Sequence, residues 1–277
     1  MIMKSMERAV AQHYGDDSLL ERILAGLKEA GVDINNLKPN DLAPVDEFHI
    51  GGRDATSYAV DKMSLYKDQH ILDIGCGIGG CARYIASEVG CRVTGIDLTP
   101  EFISVAKVLT DRTGLSNQVS FEAASALEMP FEQGSFGGAI TIHVAMNIGD
   151  RVTLYKEIAR VMKPGAALCI YDLMKKNDES LVFPLPWAET AETSHLTTPD
   201  EMKTLLSDAG FEIKEEEDRT EMGINFLRKG LAASADGPPP LGVNLVMGAS
   251  TPEKFKNVLD SMEKGRIAPV IMVARKV

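Results

Sequence analysis

The stretch Ile71-Leu72-Asp73-Ile74-Gly75-Cys76-Gly77-Ile78-Gly79-Gly80 decides how the rest of the chain is read. Three apolar residues and one acid predict a short buried strand, and the glycines predict a turn that opens a helix. At Gly75 and Gly77 the backbone can turn sharply and approach a ligand closely, because no Cβ stands in the way. Beyond the turn, Ile78, Ala82, Ile85, Ala86 and Val89 recur at helical spacing, which makes one helix face apolar. The glycines also satisfy Gly-x-Gly-x-x-Gly, a pattern that by itself suits a nicotinamide or flavin site equally well. Asp73 argues against that use, since dinucleotide folds keep this strand apolar up to the first glycine.

Downstream, Cys91 to Asp97 predicts a second strand that closes on an acid 20 residues beyond Gly77. That distance suits a carboxylate accepting both hydroxyls of an adenosine ribose. Thr99-Pro100 then opens a helix with Phe102, Val105, Ala106 and Leu109 toward the sheet. Thr198-Pro199 and Thr251-Pro252 open two further helices in the same manner, the first with Glu201 completing a capping box. Val119 to Ala123 and Ala139 to His143 predict the third and fourth strands. Asp150 caps a helix striped by Leu154, Ile158, Val161 and Met162; Lys163-Pro164-Gly165 ends it, and Ala167 to Leu173 is a buried strand. After the helix that follows Thr198, Phe211 starts another strand, the acids Glu215 to Asp218 are expected to be solvated, and Ile267 to Val273 is the last strand. Strands alternating with helices predict an α/β core with a doubly wound, mostly parallel sheet.

The wording Leu-Asp-Ile-Gly-Cys-Gly at 72–77 resembles motif I of the class I S-adenosylmethionine-dependent methyltransferases. Ala124 to Phe131 followed by Ser135-Phe136 resembles a second segment of that family, as does the helix, Lys-Pro-Gly and apolar strand after Asp150. The resemblance implies a Rossmann-like, seven-stranded sheet with an antiparallel strand near one edge, and S-adenosyl-L-methionine as cofactor. It implies that Asp73, Gly75, Cys76 and Gly77 hold the methionine end, Asp97 and Leu98 the ribose, and Ser125, Ala126 and Leu127 the adenine. Ser125 stands where the family often has an acid, and a hydroxyl binds an adenine amino group more weakly than a carboxylate does. A looser resemblance, to sarcosine/dimethylglycine methyltransferases, runs through Tyr14, Phe48 to Gly51, Met174-Lys175 and Gly265-Arg266.

Of 277 residues, 44% are hydrophobic and 25% charged, the proportions of a soluble protein. A net charge of −11 argues against nucleic acid and anionic membranes as partners, leaving small-molecule or protein substrates open, of which a small molecule is expected. No apolar run approaches the ~20 residues of a membrane span, and the acidic N-terminal region lacks a signal-peptide core, so a cytoplasmic location is expected. The four cysteines have no metal-type spacing and are expected to be reduced packing thiols, with no metal bound. Oligomeric state is left open.

Two flanking regions carry the rest of the expected site. Residues 1–66 are read as a helical cover and 67–277 as the methyltransferase domain with added loops. Within the first region, Met1 to Gly31 is expected to be helical with a Ser18–Glu21 capping box, and Val32 to Arg53 irregular, broken by Pro39 and Pro44. That first helix either folds His13-Tyr14 over a ligand or packs on the core edge. The run Asp46 to Arg53 is a tight loop beside a site or a surface turn. Phe183-Pro184-Leu185-Pro186-Trp187 is a cover over substrate or an apolar surface loop. His143 faces the methyl group or packs. Methyl transfer is an in-line displacement on an already activated methyl, so the chain must position the acceptor and exclude water. The acceptor is expected to be a small amine of the sarcosine or dimethylglycine kind, with His143, His49 or Tyr14 assisting its lone pair, Arg53 binding its carboxylate and Trp187 forming a wall. The alternative is carbon or oxygen methylation of an apolar ring such as a quinone or tocopherol-type compound.

Overall fold

The computed structural model describes residues 18–235 and 237–277. Helices α1 (Leu19–Glu29), α2 (Pro39–Asp46) and α3 (Gly52–Met63) precede the first strand. The core then alternates β1 (His70–Ile74), α4 (Gly80–Val89), β2 (Arg92–Asp97), α5 (Pro100–Arg112) and β3 (Val119–Ala123). It continues through β4 (Phe136–Ile142), α6 (Arg151–Val161), β5 (Met162–Lys175), α7 (Pro199–Asp208) and β6 (Phe211–Asp218). Helices α8 (Thr220–Ala233) and α9 (Thr251–Glu263) lead to β7 (Ile267–Lys276).

The seven strands form one sheet in the order β3-β2-β1-β4-β5-β7-β6. β1 to β5 run parallel, and β7 lies antiparallel between β5 and β6. The buried strands read as nearly continuous apolar runs because helices cover both faces. Ala59, Met63, Ile85 and Ala106 of α3, α4 and α5 close one face, and Leu154, Ile158, Met202 and Leu206 of α6 and α7 the other. A third apolar cluster joins Leu19, Ile23, Leu27, Leu42 and Val45 of α1 and α2 to Phe102, Val105 and Leu109 of α5. Strand order reverses between β1 and β4, so a crevice opens at their carboxyl ends.

Several local expectations need correction. Residues 39–46 are helical: Pro39 occupies the first turn, where its missing N–H costs nothing, and the Lys38 amide donates to Asp41 Oδ2 at 2.7 Å. Pro44 forfeits one bond in a helix of only eight residues. The Ser18–Glu21 capping box does not form; the Ser18 hydroxyl takes the Arg22 guanidinium instead. Thr99 does not cap with its side chain, whereas Asp150 and Thr198 do. The acids 215–218 are solvated as expected, with side chains 32–46% exposed, but they extend edge strand β6, and Lys62, Lys203, Arg219 and Lys176 pair with them. Helix α8 was not expected, because its apolar residues lie in a stretch without a clear start signal. Residues 1–17, with His13 and Tyr14, lie outside the described residues.

Candidate functional site

After Ile74 the chain passes through Gly75 at φ +70° and Gly77 at φ +52°. A Cβ on Gly75 would lie 2.4 Å from Val144 Cγ2, and one on Gly77 2.4 Å from Phe48 Cζ. Only glycine fits beneath the two segments that close on this turn. Its amides are committed: Gly75 and Cys76 both donate to the Ile96 carbonyl, at 2.8 and 2.9 Å. The Asp97 carboxylate accepts from the Gly77 amide at 3.0 Å and the Thr99 amide at 2.8 Å. The acid that closes β2 therefore also fixes the glycine turn on β1.

Around the turn lies a cavity of about 210 Å³. Asp73, Gly75, Cys76, Gly77, Asp97 and Leu98 line it from the first two strands, and Ser125, Ala126 and Leu127 from the loop after β3. His143 enters from the end of β4, His49 and Phe48 from the loop after α2, and Trp187 from the proline-rich loop. Met247 arrives from a helical turn, Asn244–Met247, that nothing in the sequence marked. Each residue expected around the cofactor thus borders one cavity.

Its electrostatics are acidic. Asp73 is buried, its Oδ2 has no hydrogen-bond partner, and burial, with Glu47 and Asp97 nearby, pushes its pKa up to about 7. Burial also raises Asp97. Among the described residues, no Lys or Arg lines the cavity. All four cysteines are unbridged and buried; burial pushes the thiols of Cys76 and Cys81, both on this cavity, far up, so they stay protonated. Ser125 Oγ accepts from the Leu127 amide at 3.1 Å, which shapes the loop.

Two histidines meet at the far wall. His143 follows β4 with φ +54°, a left-handed conformation that costs a non-glycine residue about 1–3 kcal/mol. It is held there by its own amide donating to the Tyr171 carbonyl at 2.7 Å, and by the Val144 amide donating to Asp172 Oδ1 at 3.0 Å. Its Nε2 is buried without a partner, and burial lowers the ring's pKa well below the usual range, leaving it neutral. The His49 ring stands 5.8 Å away, centroid to centroid. His49 Nε2 lies 2.8 Å from Glu47 Oε2 and 3.0 Å from Thr56 Oγ1, while Thr56 donates to the same Glu47 oxygen at 2.6 Å. Trp187 is buried, and its indole donates to Ser194 Oγ at 2.9 Å, so its loop turns inward.

Arg53 does not join them. Its Nε is 2.9 Å from Glu47 Oε1, an Nη is 3.5 Å from Asp46, and its guanidinium stacks over Tyr84 at 5.1 Å. A cation already held by two buried acids is absent from the cavity wall, which corrects the expectation that it anchors a substrate carboxylate. The acids holding it, Asp46 and Glu47, open the run read as a tight loop beside a site, but no expectation attached to Arg83, a fully buried arginine 2.7 Å from Asp46. The signal for Arg83 was available: it sits between Ala82 and Ile85 on the inward helix face.

The family described as "Methyltransferase domain" matches residues 72–170. An O-methyltransferase of Aspergillus sclerotiorum, resE, is 31% identical over 202 residues, 72% of this chain and 73% of that protein. The chain belongs to the class I S-adenosylmethionine-dependent methyltransferases. As such it is an enzyme whose cofactor is S-adenosyl-L-methionine. Solved structures agree on the fold. Geranyl diphosphate C-methyltransferase of Streptomyces coelicolor A3(2), solved with S-adenosyl-L-homocysteine, superposes at TM-score 0.72 with 16% identity over 98% of both chains. A candidate sarcosine dimethylglycine methyltransferase of Galdieria sulphuraria gives 0.70 with 18% identity, covering 80% of this chain and 84% of that one. Other relatives are named N-methyltransferases and a sterol 4-C-methyltransferase, so the family leaves the acceptor atom open. No described helix is long and apolar enough to cross a membrane.

The residues present fit this cofactor. Its methionine end carries a sulfonium, an ammonium and a carboxylate, and to the two cationic groups the cavity offers Asp73 with an unpartnered oxygen and further acids, with no Lys or Arg among its described lining residues. Bound there, the cofactor supplies an electrophilic methyl group.

Proposed function

We propose that this methyltransferase transfers its methyl group to a small, largely apolar acceptor. Asp73 and the Gly75–Gly77 turn hold the methionine end, Asp97 and Leu98 the ribose, and Ser125, Ala126 and Leu127 the adenine. His143, His49 and Trp187 stand on the acceptor side. Residues 1–66 serve as a cover on the domain formed by 67–277, a reading supported by the apolar cluster that joins α1 and α2 to α5.

One observation carries the acceptor class. A second cavity, of about 60 Å³, shares Glu47, Phe48, His49, His143, Pro186, Trp187 and Met247 with the first and is otherwise lined by apolar residues including Leu173, Phe226, Leu227, Phe255 and Val258. Neither cavity presents a Lys or Arg from the described residues, so their described walls offer no cationic side chain to a substrate carboxylate. A sarcosine-like acceptor loses only the Arg53 anchor expected for its carboxylate, while the apolar walls of the second cavity favour the apolar-ring alternative. Incubating the protein with methyl-labelled cofactor and a mixed acceptor panel, read by product mass, tests this. Apolar hydroxy-arenes, quinols or alkylated rings should be methylated. Turnover of sarcosine or dimethylglycine alone would refute the assignment.

A further inference from the structure

We propose that Arg151 and Asp172 are positioning residues that hold the acceptor-side cover and the cofactor turn in one fixed relation. This rests on the reading above, that Trp187 and His143 stand on the acceptor side, and goes further by naming what fixes them relative to the glycine turn.

Both groups are buried, Asp172 on β5 at 1% exposure and Arg151 at the start of α6 at 6%. Neither lines either cavity, yet each holds a segment that does. Asp172 Oδ1 accepts from the Val144 amide at 3.0 Å, directly after the left-handed His143. Val144 in turn lies against Gly75, where a Cβ would come within 2.4 Å of its Cγ2. Arg151 Nη2 donates to the His195 carbonyl at 2.8 Å. The His195 amide donates to the carbonyl of Met146, a cavity residue, at 2.9 Å. One residue earlier, Ser194 Oγ accepts from the Trp187 indole at 2.9 Å. The cover segment that carries Trp187 thus ends on Arg151, and the turn above the cofactor glycines ends on Asp172.

The two join behind the cavity. Asp172 Oδ2 carries no hydrogen bond and lies 4.0 Å from Arg151 Nη1, which itself donates to the Tyr155 hydroxyl at 3.2 Å. Burial pushes the Asp172 carboxyl up to about 6, while Arg151 and the amides of Val144, Ala145 and His143 favour its charged form. A buried ion pair adds little net stability, because desolvation offsets most of its attraction. What it supplies here is geometry. Methyl donor and acceptor wall sit on different segments, and in such a displacement a misplacement of about 1 Å can cost roughly 100-fold in rate.

Hydrogen exchange followed by NMR, with S-adenosylhomocysteine bound, reads both ends at once. Arg151→Met should speed exchange at the His195 amide by roughly 10- to 100-fold, the equivalent of one lost charged hydrogen bond. It should also speed exchange, more weakly, at the Val144 amide, whose bond is to Asp172. Asp172→Asn should do the converse, with the larger effect at Val144 and the smaller at His195. Arg151→Lys keeps the charge and is the milder change should the others fold poorly; it should loosen His195 and spare Val144. Trp187 emission should shift to the red in Arg151→Met, while calorimetric affinity for S-adenosylhomocysteine stays near that of the parent, since Asp73 and Asp97 are untouched. On the panel acceptor that the parent turns over best, Arg151→Met should lower kcat by roughly 10- to 100-fold and leave KM nearly unchanged. Exchange that changes only at the mutated end, or rises evenly through the whole chain, overturns the link. A change in KM alone overturns the positioning role. Failure of the acceptor reading looks different: the parent methylates sarcosine and no apolar acceptor, while the two ends stay linked in exchange.

Discussion

Replacing Arg83 with methionine should unsettle the contact between the cofactor helix and the loop that carries His49. Arg83 and Asp46 are both fully buried, 2.7 Å apart, one on α4 behind the glycine turn and the other at the end of α2. Removing one member of a buried pair costs about 3–5 kcal/mol, because the survivor stays desolvated. Arg53, 3.5 Å from Asp46, remains as a partial partner and puts the expectation near the lower end. For a chain of this length about 3 kcal/mol corresponds to a melting-point drop of roughly 6–12 °C. Thermal unfolding followed by circular dichroism, on the single variants and on Asp46→Leu with Arg83→Met, forms a double-mutant cycle. The double variant should lose clearly less than the two singles combined. S-adenosylhomocysteine affinity of the single variant should also fall, since Asp46 leads directly into Phe48, the ring that covers Gly77. A loss below about 1 kcal/mol, or strict additivity, would show that the pair stabilises nothing and refute the argument.

Asp97→Asn keeps the shape but removes the charge; calorimetry should show S-adenosylhomocysteine binding weakened by about 1.5–3 kcal/mol, and an unchanged affinity would place the ribose elsewhere. Because burial raises Asp73 to about 7, it is neutral below that pH and must lose its proton to meet the cofactor ammonium, so cofactor affinity should rise from pH 6 to pH 8. The same titration on Asp73→Asn should be flat, and a parent protein with no slope would argue against the pairing. Trp187, the sole tryptophan, borders both cavities, so its fluorescence should change on adding cofactor or acceptor. Val258→Trp should fill the second cavity and raise KM for bulky apolar acceptors while sparing small ones; equal effects on both would detach that cavity from substrate binding.

The parts legible in the sequence are those whose signals are local. Strand β1 and its glycines are contiguous, the Gly77–Asp97 spacing is fixed by one helix, and Ser125 to Leu127 follows directly on a strand. All of these border the cavity. The acceptor side was less legible because distant segments build it: α8 and α9 supply Phe226 and Phe255, and Met247 comes from a turn with no periodicity. Charge was misleading for the same reason. Arg53 beside His49 and two glycines looks like an anion anchor until Asp46 and Glu47, seven and six residues upstream, are seen to fold back on it.

The place of β7 has a consequence for how the molecule is made. Among the described residues β6 pairs with β7 and with no other strand, and β7 joins it to β5. During synthesis the first five strands can assemble in the order they emerge, but β6 must wait, unpaired, until β7 has left the ribosome. Helices α8 and α9 are threaded between those two events, so the cofactor half can be complete while the walls of the second cavity are still unassembled. Nascent chains arrested after α9 and after β7 should therefore differ in protease resistance most sharply at β6, α8 and α9.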